Sequence, residues 1–316
     1  MKSLPLQPLA LGILWGAILY FLTRTVLHHQ ESLRQVDLSQ QWGSLLGALG
    51  LTLAAHLWGG WVWGWILTLC GAVTNEATAQ LPMSCLWSLR VYLQTNVAKY
   101  LPGNVWHFVG RVRAGQQHGI PVGVGILSVV LEAALMAVAA LSLGILYRGQ
   151  LLGAVLGLLW LLRPQLLNRL LRRVAGSKQR IFGAQRDPAL APGEISYPRL
   201  WAFPWGSLLG EGLFVLLRGM GFLVIVMGLT PLPVGQMPLV LGAFSLAWGA
   251  GLVVPGSPGG LGVFESGVIV LLAGAVPTGS LVAAAGVYRL ISVVAELVGA
   301  GLTFIPLLPN QPAPKS

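Results

Sequence analysis

The amino-acid sequence predicts an all-α fold, a polytopic helical bundle embedded in a membrane. Only 9% of the 316 residues are charged, 55% are hydrophobic and the mean hydropathy is +0.75, whereas a soluble domain carries about 25% charged residues. The 42 glycines and 20 prolines lie inside apolar stretches, where membrane helices tolerate them. Despite a net charge of +10, this composition excludes a soluble globule, a disordered chain and a nucleic-acid-binding domain.

About eight helical segments are predicted, because a helix needs about 20 apolar residues to cross the hydrocarbon core. They lie near 6–23, 43–70, 121–147, 150–162, 201–228, 238–254, 265–276 and 280–306. The fourth and seventh are too short to cross alone, so we expect one or two broken or re-entrant helices. We interpret 1–306 as a single transmembrane domain and 307–316 as a short polar tail.

The distribution of lysine and arginine predicts the orientation, since positive charge in short loops marks the cytoplasmic side. With the N-terminus inside, thirteen cationic residues are assigned to cytoplasmic segments: Lys2, Arg90, Lys99, Arg111, Arg113 and the eight between 163 and 200. Three fall outside: Arg24, Arg34 and Arg148. We therefore expect a multi-pass protein of the plasma (inner) membrane with a cytoplasmic N-terminus.

Six charged residues lie within or at the edge of apolar segments: Glu132, Glu211, Arg218, Glu265, Arg289 and Glu296. A charge at the bilayer centre costs at least about 2.5–3.5 kcal/mol, so such residues usually face a bundle interior or a polar cavity and find partners. We predict a polar pathway, in which Glu132 and Arg289 are the first candidates. The alternative is a set of static interhelical ion pairs with no role towards a substrate.

Spacing refines this prediction. Glu211 and Arg218 are seven residues apart, as are Arg289 and Glu296, so each pair lies on one helix face, about 10 Å apart along the axis. Parallel helices would bring opposite charges together at both levels, whereas antiparallel helices would bring like charges together. Because an unpaired buried charge is costly, the spacing favours parallel helices, a re-entrant seventh segment and an outside C-terminus.

A broken helix is predicted where the chain reads PGSPGGLGVFE. Pro255, Gly256, Gly259 and Gly260 prevent a continuous helix. The short helix that follows would offer free N–H groups at its N-terminus to an anionic ligand. Glu265 falls in its first turn, however, where it is able to cap the helix and compete with such a ligand. The alternative is a tight turn between two spans.

A second Pro-Gly, Pro102 and Gly103, lies inside YLPGNVWHFVGRVR. Basic and aromatic residues mix over 86–112, a pattern typical of segments at the headgroup level. Paired interrupted segments would indicate an internal repeat around a site at mid-membrane. The histidines have no spacing suited to a metal, so no metal site and no cofactor are predicted.

Four segments carry a resemblance to a known family. YLPGNVWHFVGR, the Glu132 span, PGSPGGLGVFES and YRLISVVAELVGA occur in the order and spacing of the lysylphosphatidylglycerol synthase transmembrane-region family, which the chain resembles over about 1–306. The resemblance implies a flippase-type module without the aminoacyl-transferring synthase domain. It maps these residues onto family positions: Pro102, Gly103, Glu132, Pro255, Gly256, Gly259, Gly260, Glu265 and Arg289.

The leading functional hypothesis is a non-enzymatic translocator of an anionic phospholipid or a lipid-linked headgroup. The headgroup would enter a polar groove at the broken helix, lined by Glu132, Glu211, Arg218, Arg289 and Glu296. One alternative is a membrane glycosyl or isoprenoid-phosphate transferase. Another is a non-transporting regulator or scaffold, acting as a homo-oligomer or with a partner membrane enzyme.

Overall fold

The computed structural model describes the greater part of the predicted helical region. The described residues are 41–72, 84–101, 105–145, 204–254 and 262–304, with Gly16, Tyr147, Leu152 and Gly260. Several sequence predictions lie outside them: the spans 6–23 and 150–162, the tail 307–316, and Pro102, Gly103, Pro255, Gly256 and Gly259.

Eight α-helices make up the described part of the chain. They are α1 (Trp42–Ala72), α2 (Cys85–Asn96), α3 (Trp106–Gln117), α4 (Val122–Gly144), α5 (Trp205–Leu229), α6 (Met237–Val253), α7 (Val263–Leu271) and α8 (Thr278–Leu302). Two 3₁₀ turns, Val97–Tyr100 and Val234–Gln236, extend α2 and precede α6. The all-α prediction is confirmed for these residues.

Five of the helices are long and apolar enough to cross a membrane: α1, α4, α5, α6 with its preceding turn, and α8. They correspond to the predicted spans 43–70, 121–147, 201–228, 238–254 and 280–306, which are therefore confirmed as helices of spanning length. The protein is an integral, multi-pass membrane protein.

The antiparallel pair α1 and α5 forms the centre of the bundle, and small residues bring the two backbones close together. A methyl group at Gly59 would lie 3.0 Å from the Phe214 ring, and one at Gly221 would lie 3.0 Å from the Thr52 hydroxyl. Later residues of α1 therefore contact earlier residues of α5, which makes the two helices antiparallel. Close approach of this kind is how membrane helices gain packing energy without a hydrophobic driving force.

A helical hairpin formed by α2 and α3 enters the bundle and returns to the side it came from. Gly64 of α1 faces Ser88, and His56 lies against Asn96 at the other end of α2. The chain then turns back, because the His118 ring after α3 lies 4.8 Å from the Trp87 ring at the start of α2. The assignment of 86–112 to the headgroup level was therefore wrong: both helices pack into the bundle, where Lys99 after α2 and Arg111 of α3 contact buried carboxylates.

The predicted helix break after α6 is confirmed. Helix α6 ends at Val253 and α7 begins at Val263 with only nine residues, about 13 Å of helix. The Phe264 ring at the start of α7 contacts Phe222, Phe244 and Tyr288, all in the interior of other helices, at ring-centroid distances of 5.5–5.8 Å. Helix α7 thus starts inside the bundle and supplies half of a crossing.

The direction of α8 corrects the predicted parallel arrangement. Lys99 contacts Glu296, whereas Gln94, earlier in α2, contacts Thr303 after α8. Helix α8 is therefore antiparallel to α2 and, because α2 is antiparallel to α1, it runs parallel to α1 and antiparallel to α5. The direction of α8 thus removes the pairing argument for a re-entrant seventh segment, while α7, with nine residues, is the short broken helix that the sequence predicts.

The antiparallel pair nevertheless avoids the repulsion that the spacing argument foresaw. Phe222 contacts Tyr288 and Arg218 contacts Ser292, so the two helices are offset by about half of the seven-residue spacing. Arg218 therefore lies between Arg289 and Glu296 in depth rather than opposite a like charge.

Two large apolar cores, with a small third cluster of Val97, Tyr100 and Val293, hold the described helices together. One comprises residues of α1, α2, α4 and α5, and the other comprises residues of α5 to α8 around four mutually packed rings. Trp248 packs against both cores. The polar groups described next lie between them.

Candidate functional site

A cavity of about 300 Å³ opens between the two cores. Its wall combines aromatic and apolar side chains such as Phe214, Trp248 and Phe264 with a large set of polar ones. The polar lining consists of His56, Tyr92, Asn96, Lys99, Tyr100, His107, Arg111, Glu132, Arg218, Tyr288, Arg289 and Ser292.

The polar groups lie at the middle of the spanning helices. His56, Glu132, Arg218 and Arg289 each lie within about a residue of the midpoint of α1, α4, α5 and α8 respectively. Their depth is therefore that of the bilayer centre, where a charge is most expensive. Residues at this depth have partners or contact a polar cavity, and here they do both.

Glu296 organises the first group of charges. Its Oε1 atom accepts a hydrogen bond from Lys99 Nζ at 2.5 Å and lies 3.2 Å from His56 Nε2. The Asn96 amide lies 3.3 Å from His56 Nδ1. Arg218 NH1 lies 3.3 Å from His56 Nε2, so this ring nitrogen lies between the Glu296 carboxylate and the guanidinium. The carboxylate is buried and does not line the cavity, so it contacts these cavity-lining groups on the side away from the cavity.

Arg218 is oriented mainly by neutral groups. Its Nε donates to the Tyr288 hydroxyl at 3.0 Å, and its NH2 donates to the Ser292 hydroxyl at 3.2 Å. The Trp248 ring centroid is 5.8 Å from the guanidinium carbon. The Glu296 carboxylate is 3.9 Å away, at the limit of an ion pair. The guanidinium therefore faces the cavity with its charge only partly compensated.

Arg111 and Glu132 form the second group, joined by an ion pair between NH1 and Oε2. Both side chains are buried, and the guanidinium carbon lies 4.0 Å from the centroid of the Tyr92 ring. Arg111 Nε and Glu132 Oε1 have no hydrogen-bond partner among the described residues. Each therefore keeps an unused donor or acceptor next to the cavity.

Arg289 and Glu265 form the third group, at the start of α7. Arg289 Nε donates to Glu265 Oε1 at 2.7 Å, and its NH2 donates to the Gly260 carbonyl at 2.6 Å. Glu265 Oε2 in turn accepts from the Gly262 backbone N–H at 2.8 Å and caps the helix. The free helix N-terminus predicted for an anionic ligand is therefore occupied by Glu265. The positive φ angles of Gly260 (73°) and Gly262 (81°) confirm the predicted special backbone.

Residues that flank the two Pro-Gly sequences line the cavity. Tyr100 and Val105 come before and after the first, and Val254 and Gly260 come before and after the second. These flanking residues thus meet at one site, although the two sequences lie about 150 residues apart in the chain.

The structure divides the predicted site residues into two sets. Glu132, Arg218, Gly260 and Arg289 line the cavity. Glu211, Glu265 and Glu296 are buried but not part of the lining, which corrects the prediction that the groove is lined by Glu211 and Glu296. Of the opposite-charge pairs derived from spacing, Arg218 does approach Glu296, whereas Arg289 pairs with Glu265 and not with Glu211.

The sequence argument missed several lining residues, above all Lys99 and Arg111. They were assigned to a cytoplasmic loop because α2 and α3 are less hydrophobic than the spanning helices, yet both residues face buried carboxylates. Two of the thirteen cations that predicted the orientation therefore do not mark a loop. The sequence did contain a usable signal. Glu132 in an apolar span needs a cation, and Arg111 supplies one if the helices before and after Pro121 pack together.

No group of three or more histidine, cysteine, aspartate or glutamate side chains able to hold a metal ion occurs within the described ranges. The chain matches no known family model and no curated protein at a significant level.

Proposed function

We propose that the protein is a non-enzymatic translocator that moves an anionic phospholipid or lipid-linked headgroup between leaflets through the central cavity. One observation carries the proposal: Lys99, Arg111, Arg218 and Arg289, from four separate helical segments, converge on one cavity at mid-depth of an apolar bundle. Static ion pairs need no cavity. Four cations around an empty volume provide a site for a negative charge.

The chemistry of the lining suits a phosphate. Arg218 offers a planar guanidinium, which is able to donate two parallel hydrogen bonds to phosphate oxygens, and the Tyr288 and Ser292 hydroxyls hold it in orientation. The aromatic walls around it, Phe214 and Trp248, accommodate less polar parts of a headgroup. The same arrangement would be poor for a cation.

The backbone around the cavity supports movement rather than permanent binding. In membrane transporters, substrate sites lie near the bilayer midplane beside discontinuous helices. Here the cavity is lined by residues at the ends of helical segments, Tyr100 and Val253, and by Val105 and Gly260 shortly before α3 and α7. The resemblance of the two Pro-Gly sequences to the lysylphosphatidylglycerol synthase transmembrane region is consistent with a flippase-type activity. We place the protein in the plasma membrane with a cytoplasmic N-terminus, as the basic residues indicate.

Transbilayer movement in reconstituted liposomes tests the proposal. Phosphatidylglycerol with a fluorescent acyl chain is placed in both leaflets, and a membrane-impermeant quencher reports the fraction that reaches the outer one. We expect the wild-type protein to expose nearly all of the label, and Arg218→Gln to slow this at least tenfold because the phosphate loses its fork of donors. Arg113→Gln, an exposed arginine of α3, is the matched control.

Labelled phosphatidylcholine, a zwitterion, provides the test of selectivity and is expected to move more slowly. If neither lipid moves faster than in protein-free liposomes, the protein is not a translocator of this class. If Arg218→Gln moves phosphatidylglycerol as fast as the wild type does, the cavity is not the pathway.

A further inference from the structure

Glu211 is a buried carboxyl with no hydrogen-bond donor in the described part of the chain. Its side chain lies in the second turn of α5 at 0% exposure. Neither carboxyl oxygen has a hydrogen-bond partner among the residues that the structure describes. This distinguishes Glu211 from the other three carboxyls of the site, each of which bonds to a lysine or an arginine.

The cation that interacts with Glu211, Arg111, does not resolve this. Glu211 interacts electrostatically with Arg111 and Glu132, but Arg111 is already paired with Glu132. One cation therefore stands against two carboxyl groups. An ionised carboxylate that is buried without donors costs several kcal/mol, and the nearby negative charge of Glu132 adds to that cost.

The groups facing α5 from its neighbours supply no other counter-charge. Helix α5 packs against α1, α4, α6 and α8, and α6 carries no ionisable residue. The charged and titratable groups described near α5 on the remaining elements, including the hairpin, are His56, Tyr92, Lys99, Tyr100, Arg111, Glu132, Tyr288, Arg289 and Glu296. Of these, the cations Lys99, Arg111 and Arg289 already bind other carboxylates.

A charge count of the site then depends on Glu211. Four cations, Lys99, Arg111, Arg218 and Arg289, stand against three paired carboxylates, those of Glu132, Glu265 and Glu296. With His56 neutral, the site carries one excess positive charge if Glu211 is neutral and none if Glu211 is ionised.

We propose that Glu211 holds a proton in the resting protein, and that an anionic headgroup with a single negative charge binds to the cavity together with this proton. The inference rests on the proposed function and deepens it, because it names a monoanionic phosphodiester as the substrate class and a proton as the co-bound ion. Loss of the proton removes the excess positive charge that the headgroup neutralises.

Linkage sets the sign of the effect. Because the protonated site binds the anion better, the site with a bound anion must in turn hold its proton more tightly by the same factor. Affinity for the anion is therefore constant at low pH and falls by up to about tenfold per pH unit once Glu211 ionises. Binding at a pH within that falling range takes up protons from solution.

Infrared spectroscopy tests the proton directly and needs no lipid. Protein carrying ¹³C-labelled glutamate is compared with Glu211→Gln and with Glu194→Gln, a control in the predicted loop 163–200. We expect the wild type at pH 7 to show the carbonyl absorption of a protonated glutamic acid, Glu194→Gln to retain it and Glu211→Gln to lose it. A wild-type spectrum without this band overturns the proposal, even if the variant fails to fold.

The pH dependence of binding tests the coupling. The probe is dihexanoyl phosphatidylglycerol, a soluble monoanionic phosphodiester, titrated calorimetrically from pH 6 to 9 against dihexanoyl phosphatidylcholine. The wild type is expected to bind the anionic lipid more weakly as the pH rises. Glu211→Gln, which cannot ionise, is expected to keep the low-pH affinity throughout.

The outcomes separate this inference from the proposed function. If wild-type binding does not change with pH while liposomes still show lipid movement, the coupling is overturned and the translocator stands. If the lipid does not bind at any pH, both the coupling and the proposed function fail, whereas the infrared band still decides whether Glu211 holds the proton.

Discussion

At the scale of single residues, the site is a set of buried charges whose partners come from distant parts of the chain. Arg111 meets Glu132, Lys99 meets Glu296 and Arg289 meets Glu265. A buried ion pair contributes little net stability because desolvation offsets the attraction, but breaking one leaves an unpaired charge. The energetic consequence of any single substitution is therefore larger than the value of the pair.

The Arg111–Glu132 pair allows this to be measured. We expect Arg111→Met or Glu132→Met alone to lower the free energy of unfolding by about 3–5 kcal/mol, because the remaining charge is buried without its partner. The double variant should lose much less than the sum of the two. Denaturation in detergent micelles, followed by tryptophan fluorescence, gives the three values.

Arg113→Met is the control, since Arg113 lies on the exposed face of the same helix, and it should change the free energy by no more than about 0.5 kcal/mol. Additive losses in the double variant would show that Arg111 and Glu132 do not act as a pair.

At the scale of helices, glycine determines which segments approach closely enough to form the cavity. Helices α6 and α7 touch at Gly267, where a methyl group would lie 2.8 Å from the Ala247 β-carbon and 3.2 Å from its α-carbon. This contact holds the half-helix α7 against α6 and so holds the capped end of α7 beside Arg289. The hairpin α2–α3 depends on Gly60 and Gly64 of α1 in the same way.

Gly267→Ala is therefore expected to destabilise the protein by about 1–3 kcal/mol, because the added methyl group has no space between two packed backbones. Gly50→Ala is expected to have the opposite effect and to stabilise the protein. Nothing lies within 4 Å of the methyl group it adds, and alanine is favoured over glycine inside a helix by up to about 1 kcal/mol. Thermal unfolding in the same detergent compares them, and equal shifts for both would contradict the close packing of α6 on α7.

At the scale of the whole molecule, the direction of the helices determines which loops share a membrane side. Gly228 at the end of α5 packs against Ser44 at the start of α1, so the turn after α5 lies on the side where α1 begins. Helix α8 runs parallel to α1, so its end lies on the opposite side, where α1 ends. If the N-terminus is inside, as we propose, and the predicted first span precedes α1, we expect the end of α8 to be cytoplasmic.

Cysteine labelling in intact cells tests this topology. With Cys70 and Cys85 replaced by alanine, we expect a membrane-impermeant maleimide to label Val234→Cys, and Phe304→Cys only after the cells are opened. Both positions are highly exposed in the structure, at 77% and 76%, so a difference in labelling reflects the side of the membrane. Labelling of both from outside would restore the parallel arrangement of α5 and α8 that the charge spacing favoured.

The sequence by itself determined that the protein is embedded in a membrane and that its fold is all-α. Five runs of apolar residues long enough to span a bilayer and the helix break before Glu265 were predictable, because hydropathy and backbone restrictions are local properties. It also indicated Glu132, Arg218 and Arg289 as unusual, since the cost of a charge in an apolar segment does not depend on its partner.

Only the tertiary structure decided which charges meet. Glu296 binds Lys99, 197 positions earlier in the chain, in a hairpin whose low hydropathy indicated a surface segment. Helices α5 and α8 avoid like charges through an offset that no spacing rule contains. Pairing depends on helix direction, offset and close approach at glycines, which are long-range properties of the packed bundle. These properties produced the cavity and, within the residues that the structure describes, left Glu211 without a hydrogen-bond donor.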